Sequence, residues 1–394
     1  MLRPIPGFAM TGGQTPIHRG ALLLTVNACM FVFGVVLLLM GSLLPSLHVN
    51  GARAGSLGSF PLAGILSVTV VIGPVLDKLG AKPALSVGLG MVAAALAAIP
   101  SLSSYPALAG AALLYGFGGG ILNTATNAVV SELSVAGRGV ALNLLGFSFS
   151  LGAVTAPLLM SFASGRFSTA TILYLLAAAP AAVLVLMLTL PFPRAAHAAT
   201  PVRSLVRVLN HPVVWLIGVL LFFESGNENC LFVWAGKVMQ DTLHLASGRA
   251  DLALVSLSAA LGGGRLLAAL GLKRLGSRNL LLLSCAITVA GVAVVRLSAT
   301  FGGMLAGFAV LGLGMSTVFP TALGVAGDRF PNETGTVFGA IMTAALVGGT
   351  AGPAIGGWVA GSSHMAVLIV PLVAATGIAV CTLAVSRQGG SARS

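Results

Sequence analysis

Displaced by 196 residues, the second half of this 394-residue chain falls onto the first. The turn Asp77-Lys78-Leu79-Gly80-Ala81-Lys82 lands on Lys273-Arg274-Leu275-Gly276-Ser277-Arg278. At the same offset Gly116 meets Gly312, Gly118 meets Gly314, Glu132 meets Asp328, Gly139 meets Gly335, Gly152 meets Gly348 and Pro157 meets Pro353. In a chain with 52 glycines, glycine coincidences carry little weight by themselves. A proline, a basic turn and an acidic helix end that all keep one register do carry weight. The fold must therefore consist of two copies of one unit, joined head to tail.

Each unit holds six long apolar runs. The chain is 57% hydrophobic and 7% charged, with a mean hydropathy of +1.03, more apolar surface than a water-soluble core can hide. Runs of at least about 18 residues, enough to cross about 30 Å of hydrocarbon at about 1.5 Å per residue, lie near 20–47, 54–76, 83–100, 106–131, 138–163 and 168–190. Six more lie near 212–240, 249–272, 279–297, 302–326, 334–360 and 364–385. The expected fold is an all-α membrane protein, with twelve transmembrane helices in two pseudo-symmetric six-helix bundles. The domains are a tail at 1–19, a first bundle at 20–190, a linker at 191–211, a second bundle at 212–385 and a tail at 386–394. Parallel repeats of this kind recur in membrane transporters, with the solute site near the bilayer midplane between them.

Twelve crossings place both termini on one side. That side carries fourteen of the twenty Lys and Arg residues, among them Arg19, Lys78, Lys82, Arg138, Arg203, Arg207, Lys273 and Arg329, so both termini are expected to be cytoplasmic in a plasma (inner) membrane. The net charge of +12 is spread over short turns without interleaved aromatics, which reads as topology rather than nucleic-acid binding. No apolar core precedes the first span, so no cleavable signal peptide is expected. All four cysteines fall inside predicted spans without metal-ligand spacing, and the histidines lie in loops or at span ends. No metal and no cofactor are expected, and any proton work falls to carboxylates. The short loops leave no room for a soluble catalytic domain, and no phosphate-binding Gly-rich Lys-Ser/Thr loop exists, so neither an enzyme nor a self-contained ATP-driven pump is expected. The expected partners are the lipid bilayer, a small-molecule solute and a proton or sodium ion, and the chain is expected to be a monomer.

Glu224 and Glu228 stand near the middle of the seventh span, four residues apart and so on one helix face, with Asn227 beside them. An ionised side chain at that depth costs on the order of 3 kcal/mol on insertion scales, so both must face a partner or a wet cavity. Such a pair is suited to taking up a proton or a sodium ion; a structural carboxyl tying helices together is the alternative. Asn123 and Asn127 share a face of the fourth span, and Trp234 and Trp358 add aromatic surface in the seventh and eleventh. Amides donate to and accept from hydroxylated solutes, and a Trp face packs against a sugar ring. Interhelical hydrogen bonding explains the asparagines nearly as well. Arg265, about 12 Å before Lys273 along a helix, is expected to reach the cytoplasmic interface, with a role in holding a substrate anion as the alternative.

The run Gly73-Pro74-Val75-Leu76-Asp77-Lys78-Leu79-Gly80-Ala81-Lys82 resembles the loop between the second and third spans of the major facilitator superfamily. The resemblance implies a gating loop of Gly73, Asp77, Lys78, Gly80 and Lys82, whose acid engages helix ends of the other half when the cytoplasmic side is closed, with Arg138 beside it. Within that superfamily, Asn123-Thr124-Ala125-Thr126-Asn127, Ser225-Gly226-Asn227-Glu228 with Trp234, and Phe319-Pro320-Thr321 are similar to the fucose permease and related sugar-cation symporters. Where that group places acids in the first and fourth spans, this chain has Gly41 and Asn123. The resemblance implies a secondary active transporter for a small polar solute, a sugar or polyol, moved with a cation; Glu228 alone matches the seventh-span pattern. A proton-coupled exporter of amphipathic compounds and a uniporter are the alternatives. The antiporter-like Gly352-Pro353-Ala354-Ile355-Gly356-Gly357 stands in the eleventh span rather than the fifth.

Overall fold

Hydrocarbon offers no hydrogen-bond partners, so each apolar run satisfies its backbone internally and folds as a helix. The computed structural model describes residues 19–43, 52–163, 166–192, 210–245, 250, 252–271, 275–360 and 364–390. The first half comprises α1 (Arg19–Leu43), α2 (Ala52–Leu79), α3 (Ala81–Ala98), α4 (Tyr105–Leu133), α5 (Arg138–Ala163) and α6 (Thr169–Thr189). The second comprises α7 (Pro212–Leu243), α8 (Leu252–Gly271), α9 (Ser277–Leu297), α10 (Phe301–Met315), α11 (Val318–Arg329), α12 (Thr334–Val359) and α13 (Ile369–Gly390). The tenth crossing is α10 and α11 together, and no strand occurs among the described residues. Nearly all of the linker at 191–211, residues 1–18 and 391–394 of the tails, and Lys273 and Arg274 lie outside the described residues.

Local chemistry sets the ends. Ser168 and Thr300 cap α6 and α10 by accepting from the N–H of Thr171 and Gly303, and Nδ1 of His211 accepts from Val213 N–H at the start of α7. Gly80 alone separates α2 from α3, at φ 81°, a left-handed conformation that costs glycine nothing. The break between α10 and α11 has a covalent cause. Pro320 has no N–H to donate to the carbonyl of Ser316 one turn earlier, and the helix opens at Ser316-Thr317.

The helix pairing repeats as the 196-residue offset requires. In the first half α1 packs on α5, α4 on α2 and α3, and α3 on α6. In the second, α7 packs on α12, α10 on α8 and α9, and α9 on α13. The repeat reaches single atoms: a Cβ on Gly116 would run into the carbonyl of Pro61, and one on Gly312 into the carbonyl of Leu257, and both positions of each pair are 196 apart. Close backbone approach through glycine is what holds helices together where lipid removes the hydrophobic drive for association. Gly312→Val is accordingly expected to lower the melting temperature in detergent, since overpacking a tight contact costs about 1–3 kcal/mol. Gly110 has open space around its Cβ position and serves as the control; an unchanged melting temperature for Gly312→Val would show that the α8–α10 approach is slack.

The outward faces are apolar, with Leu24, Leu297 and Trp358 at 73, 87 and 85% exposure, and eleven helices are long and apolar enough to span a membrane among the described residues. The 26-residue α5, alongside α1, supplies the twelfth crossing. The basic residues at the end bearing the termini do more than set topology. Arg19 donates to Leu133 O, Lys82 to Leu188 O and Leu190 O, and Arg329 to Val385 O, so last-turn carbonyls of other helices are satisfied by cations.

Candidate functional site

Between the halves lies a cavity of about 140 Å³, room for a small solute or roughly ten waters. Its polar lining is short: Asn123 and Asn127 from α4, Ser225, Glu228 and Asn229 from α7, Arg265 from α8 and Thr350 from α12. The rest is largely apolar, including Met30, Phe33, Phe149, Phe319, Met342 and Leu346.

Helical geometry decides which α7 residues reach it. At about 100° per residue, Ser225, Glu228 and Asn229 span one arc, and they line the cavity. Glu224 and Asn227 fall on the neighbouring arc and are shut inside the second half, each 1% exposed, with Glu224 Oε1 and Asn227 Oδ1 making no hydrogen bond. Glu224 has Glu228, Arg265 and Cys285 within electrostatic reach. The two carboxylates thus sit one turn apart in different surroundings.

Arg265 does not reach the interface. It is 4% exposed and lines the cavity. Its Nε donates to Ser316 O at 3.3 Å, the carbonyl that Pro320 sets free. Its Nη1 crosses to the first half, donating to Gly146 O at 3.2 Å and Ser150 Oγ at 3.0 Å on α5. Nη2 lies 3.7 Å from Glu228 Oε2, and the guanidinium carbon stands 5.7 Å from the centre of the Phe149 ring. Gly146 makes the crossing possible, since a Cβ there would stand 3.0 Å from Arg265 Cδ. The proline four residues after Ser316 was the available signal for a freed carbonyl, but nothing in the sequence ties that carbonyl to α8.

Among the other sequence candidates, Asn127 Nδ2 donates to Asn123 O at 2.8 Å and Asn123 Oδ1 at 3.3 Å, which leaves Asn123 Nδ2 and Asn127 Oδ1 at the cavity side of α4. Trp234 is outside the cavity lining: its Nε1 donates to Pro353 O at 3.0 Å and its ring covers Gly356 and Gly357 of α12. Trp358 faces outward, 85% exposed. It cannot stack on a solute held between the halves in this conformation. Of the other lining residues, Ser225 opens the stretch that resembles the sugar-cation symporters, whereas Asn229 and Thr350 carry no mark in the sequence that sets them apart from packing residues.

At the end where α1 begins and α13 finishes, Asp77 and Arg138 of the first half reach the second. Asp77, in the last turn of α2, accepts from Gly335 N–H at 3.1 Å, Thr336 N–H at 3.0 Å and the Thr336 hydroxyl. It caps α12 from the other half, where the helix's own Glu333 makes no side-chain cap bond. Gly73 permits this, because a Cβ there would strike the backbone of Gly335 and Thr336. Arg138, at the start of α5 and 5% exposed, donates to Ser131 O at 2.8 Å and pairs with Asp328 at the end of α11. The motif's remaining residues divide: Gly80 makes the turn, Lys82 caps α6 within its own half, and Lys78 is exposed.

Solved structures share this fold. The fucose:proton symporter FucP of E. coli, in the form of a single-residue variant, superposes with a TM-score of 0.80 at 17% identity, over 93% of this chain and 99% of that one. FucP in an outward conformation gives the same score, with coverage of 92% and 98%. The human organic anion transporter MFSD10 gives 0.75 at 14% identity, over 94% and 100%. At these identities the likeness is one of fold. Among curated proteins, the uncharacterized transporter y4wD of Sinorhizobium fredii (strain NBRC 101917 / NGR234) is 26% identical over 328 residues, 82% of this chain and 80% of its own length. The sequence profile of the Major Facilitator Superfamily matches residues 22–353 and again 221–392, so nearly the whole of both repeats is accounted for. This all-helical, multi-pass membrane protein belongs to the Major Facilitator Superfamily of transporters.

Proposed function

We propose that the protein is a secondary active transporter that moves a small polar solute by alternating access, driven by a cation taken up at Glu228. The observation that carries this reading is the position of Glu228: a carboxylate at the midpoint of a membrane-spanning helix, on the wall of a cavity lined by both halves. An intramembrane ionisable residue facing a cavity is expensive to keep, and cation uptake gives it a use. The three amides Asn123, Asn127 and Asn229 offer hydrogen bonds to a hydroxylated solute of the sugar or polyol kind. The similarity in fold to a fucose:proton symporter supports the same reading.

The Asp77–α12 and Arg138–Asp328 contacts act as the gate at the cytoplasmic side, formed when the cavity is open to the opposite side and released when it turns inward. The bundles at 20–190 and 212–385 are the two bodies that rock, with 191–211 joining them. The test is uptake into proteoliposomes of a panel of sugars, polyols and small organic acids under imposed proton and sodium gradients. The expected result is accumulation of one class that depends on one of the two gradients. Uptake that merely equilibrates, whatever the gradient, would make the protein a uniporter.

A further inference from the structure

Arg265 supplies the positive charge of the cavity, and part of it is unengaged. A guanidinium carries five N–H groups in a fixed fork. Nε and Nη1 are taken by Ser316 O, Gly146 O and Ser150 Oγ, all at 3.0–3.3 Å. Nη2 makes no hydrogen bond among the described residues, and its ion pair with Glu228, at 3.7 Å, is longer than a hydrogen bond. The charge is therefore held in place by neutral acceptors from both halves and paired within 4 Å with one carboxylate, Glu228, while Glu224 stands farther off within electrostatic reach.

That balance is disturbed by the coupling step itself. When Glu228 takes up a proton, Arg265 loses its one close ion-pair partner, beside Phe149 on the wall of a largely apolar cavity, and breaking a buried pair in that way is strongly unfavourable. Glu224 lies one turn behind, on the arc that does not line the cavity, and beyond it lies Cys285 of α9. The α12 helix, packed along α7, brings no titratable side chain, and neither does α10. The acids, bases and thiols of α11 and α13 are Asp328 and Arg329 at one end, and Cys381 and Arg387. No neighbour on the cavity wall can replace Glu228.

We propose that the solute replaces it: the transported molecule is a small monocarboxylate whose anionic head takes the Nη2 side of Arg265 when Glu228 is protonated. The proton goes to the Glu228 carboxylate, the solute carboxylate takes its place beside the guanidinium, and the net charge of the pair is zero before and after. One proton and one anion then move together. With its other three N–H groups already placed, the guanidinium keeps the two on Nη2 for charge-assisted hydrogen bonds to a carboxylate. This inference rests on the transporter reading and narrows its solute to an anion. It leaves the body of the molecule, hydroxylated or apolar, to experiment.

The experiment uses the full-length protein in detergent, with binding followed as a shift in melting temperature. The probes are gluconate and hexanoate, each against a neutral counterpart, sorbitol and hexanamide. Between pH 6 and 9 both carboxylates stay ionised, since carboxyl groups titrate near pH 4. The expected result is that one of the two carboxylates binds, more tightly as pH falls, by up to about tenfold per unit, as one linked proton requires. Its neutral counterpart does not bind. Glu228→Gln mimics the protonated state and is expected to bind that carboxylate equally at pH 6 and pH 9. Arg265→Gln is expected to lose at least about tenfold in affinity, and Arg265→Lys to keep the charge but lose part of the affinity with the fork. Should Arg265→Gln fail to fold, the pH behaviour of Glu228→Gln against wild type decides alone. If neither carboxylate binds wild type or Glu228→Gln, or if Glu228→Gln keeps the wild-type pH dependence, the anion site is wrong. Gradient-driven uptake of sorbitol without carboxylate binding overturns the anion site and leaves the transporter standing. Carboxylate binding with no transport under any gradient overturns the transporter reading instead.

Discussion

Glu228→Gln is expected to abolish accumulation of solute against its gradient while leaving exchange of solute across the membrane measurable. The substitution keeps the shape, replaces one acceptor oxygen with a donor as protonation would, and removes the charge that a cation would neutralise. In the empty carrier the ionised Glu228 balances Arg265; Gln cannot, and a charge left unpaired at mid-membrane costs on the order of 3 kcal/mol, so the empty return step that accumulation needs is blocked while exchange of loaded carrier is not. Glu224→Gln is expected to behave differently. Glu224 has no place on the cavity wall and is buried in the second half, so accumulation should persist, with any loss appearing in the amount of folded protein. The two variants side by side, assayed under proton and sodium gradients, separate a coupling residue from a structural one. Unchanged accumulation by both variants, with unchanged dependence on both ions, would make both carboxylates structural.

Asp77→Asn should slow turnover by roughly tenfold and leave the apparent affinity for solute within about threefold. Asp77 stands in the last turn of α2 and is absent from the cavity wall, so solute contacts are untouched. What it loses is a charge-assisted cap on α12, with three donors converging on one carboxylate. Hydrogen bonds to a charged group and the helix-terminus interaction together make the change about 1–2 kcal/mol. The conformation with that end closed is weakened by the same amount, and about 1.4 kcal/mol corresponds to a factor of ten in a rate. Initial rates over a range of solute concentrations distinguish this from its opposite: a large rise in half-saturation with unchanged turnover would place Asp77 in binding rather than gating.

How legible these two residues were differs for a physical reason. Asp77 lies in a contiguous run whose glycines, acid and bases form a recognisable pattern, and one element of that pattern, Gly73, is explained by the α2–α12 approach. The central site has no such run. Its parts come from α4, α5, α7, α8 and α12, each contributing one to three side chains. Read along the chain, Glu224 and Glu228 differ only in that Glu228 matches the seventh-span pattern, and which of them meets the cavity is decided by the direction in which α7 presents each one. Trp234 and Trp358 were legible as aromatic surface, yet one is held against α12 by the Pro353 carbonyl and the other faces outward. Arg265 was misplaced for a related reason. Its distance from the cytoplasmic turn permits a long side chain to reach water, and nothing local reveals that Ser316, Gly146 and Ser150 offer three acceptors nearer at hand.

By itself the sequence determined the number of helices, their bounds within a few residues, and the pairing of the two halves. These follow from hydropathy and from a repeat of 196, both properties of neighbours along the chain or of a fixed register. The tertiary structure alone decided which face of each helix meets the cavity, and so which carboxylate is wet, where the guanidinium of Arg265 goes, and which acid caps which helix. Those outcomes depend on the rotation and approach of helices from opposite halves. In a bilayer that approach is set by glycine contacts and freed carbonyls rather than by a hydrophobic pattern that could be read in one dimension.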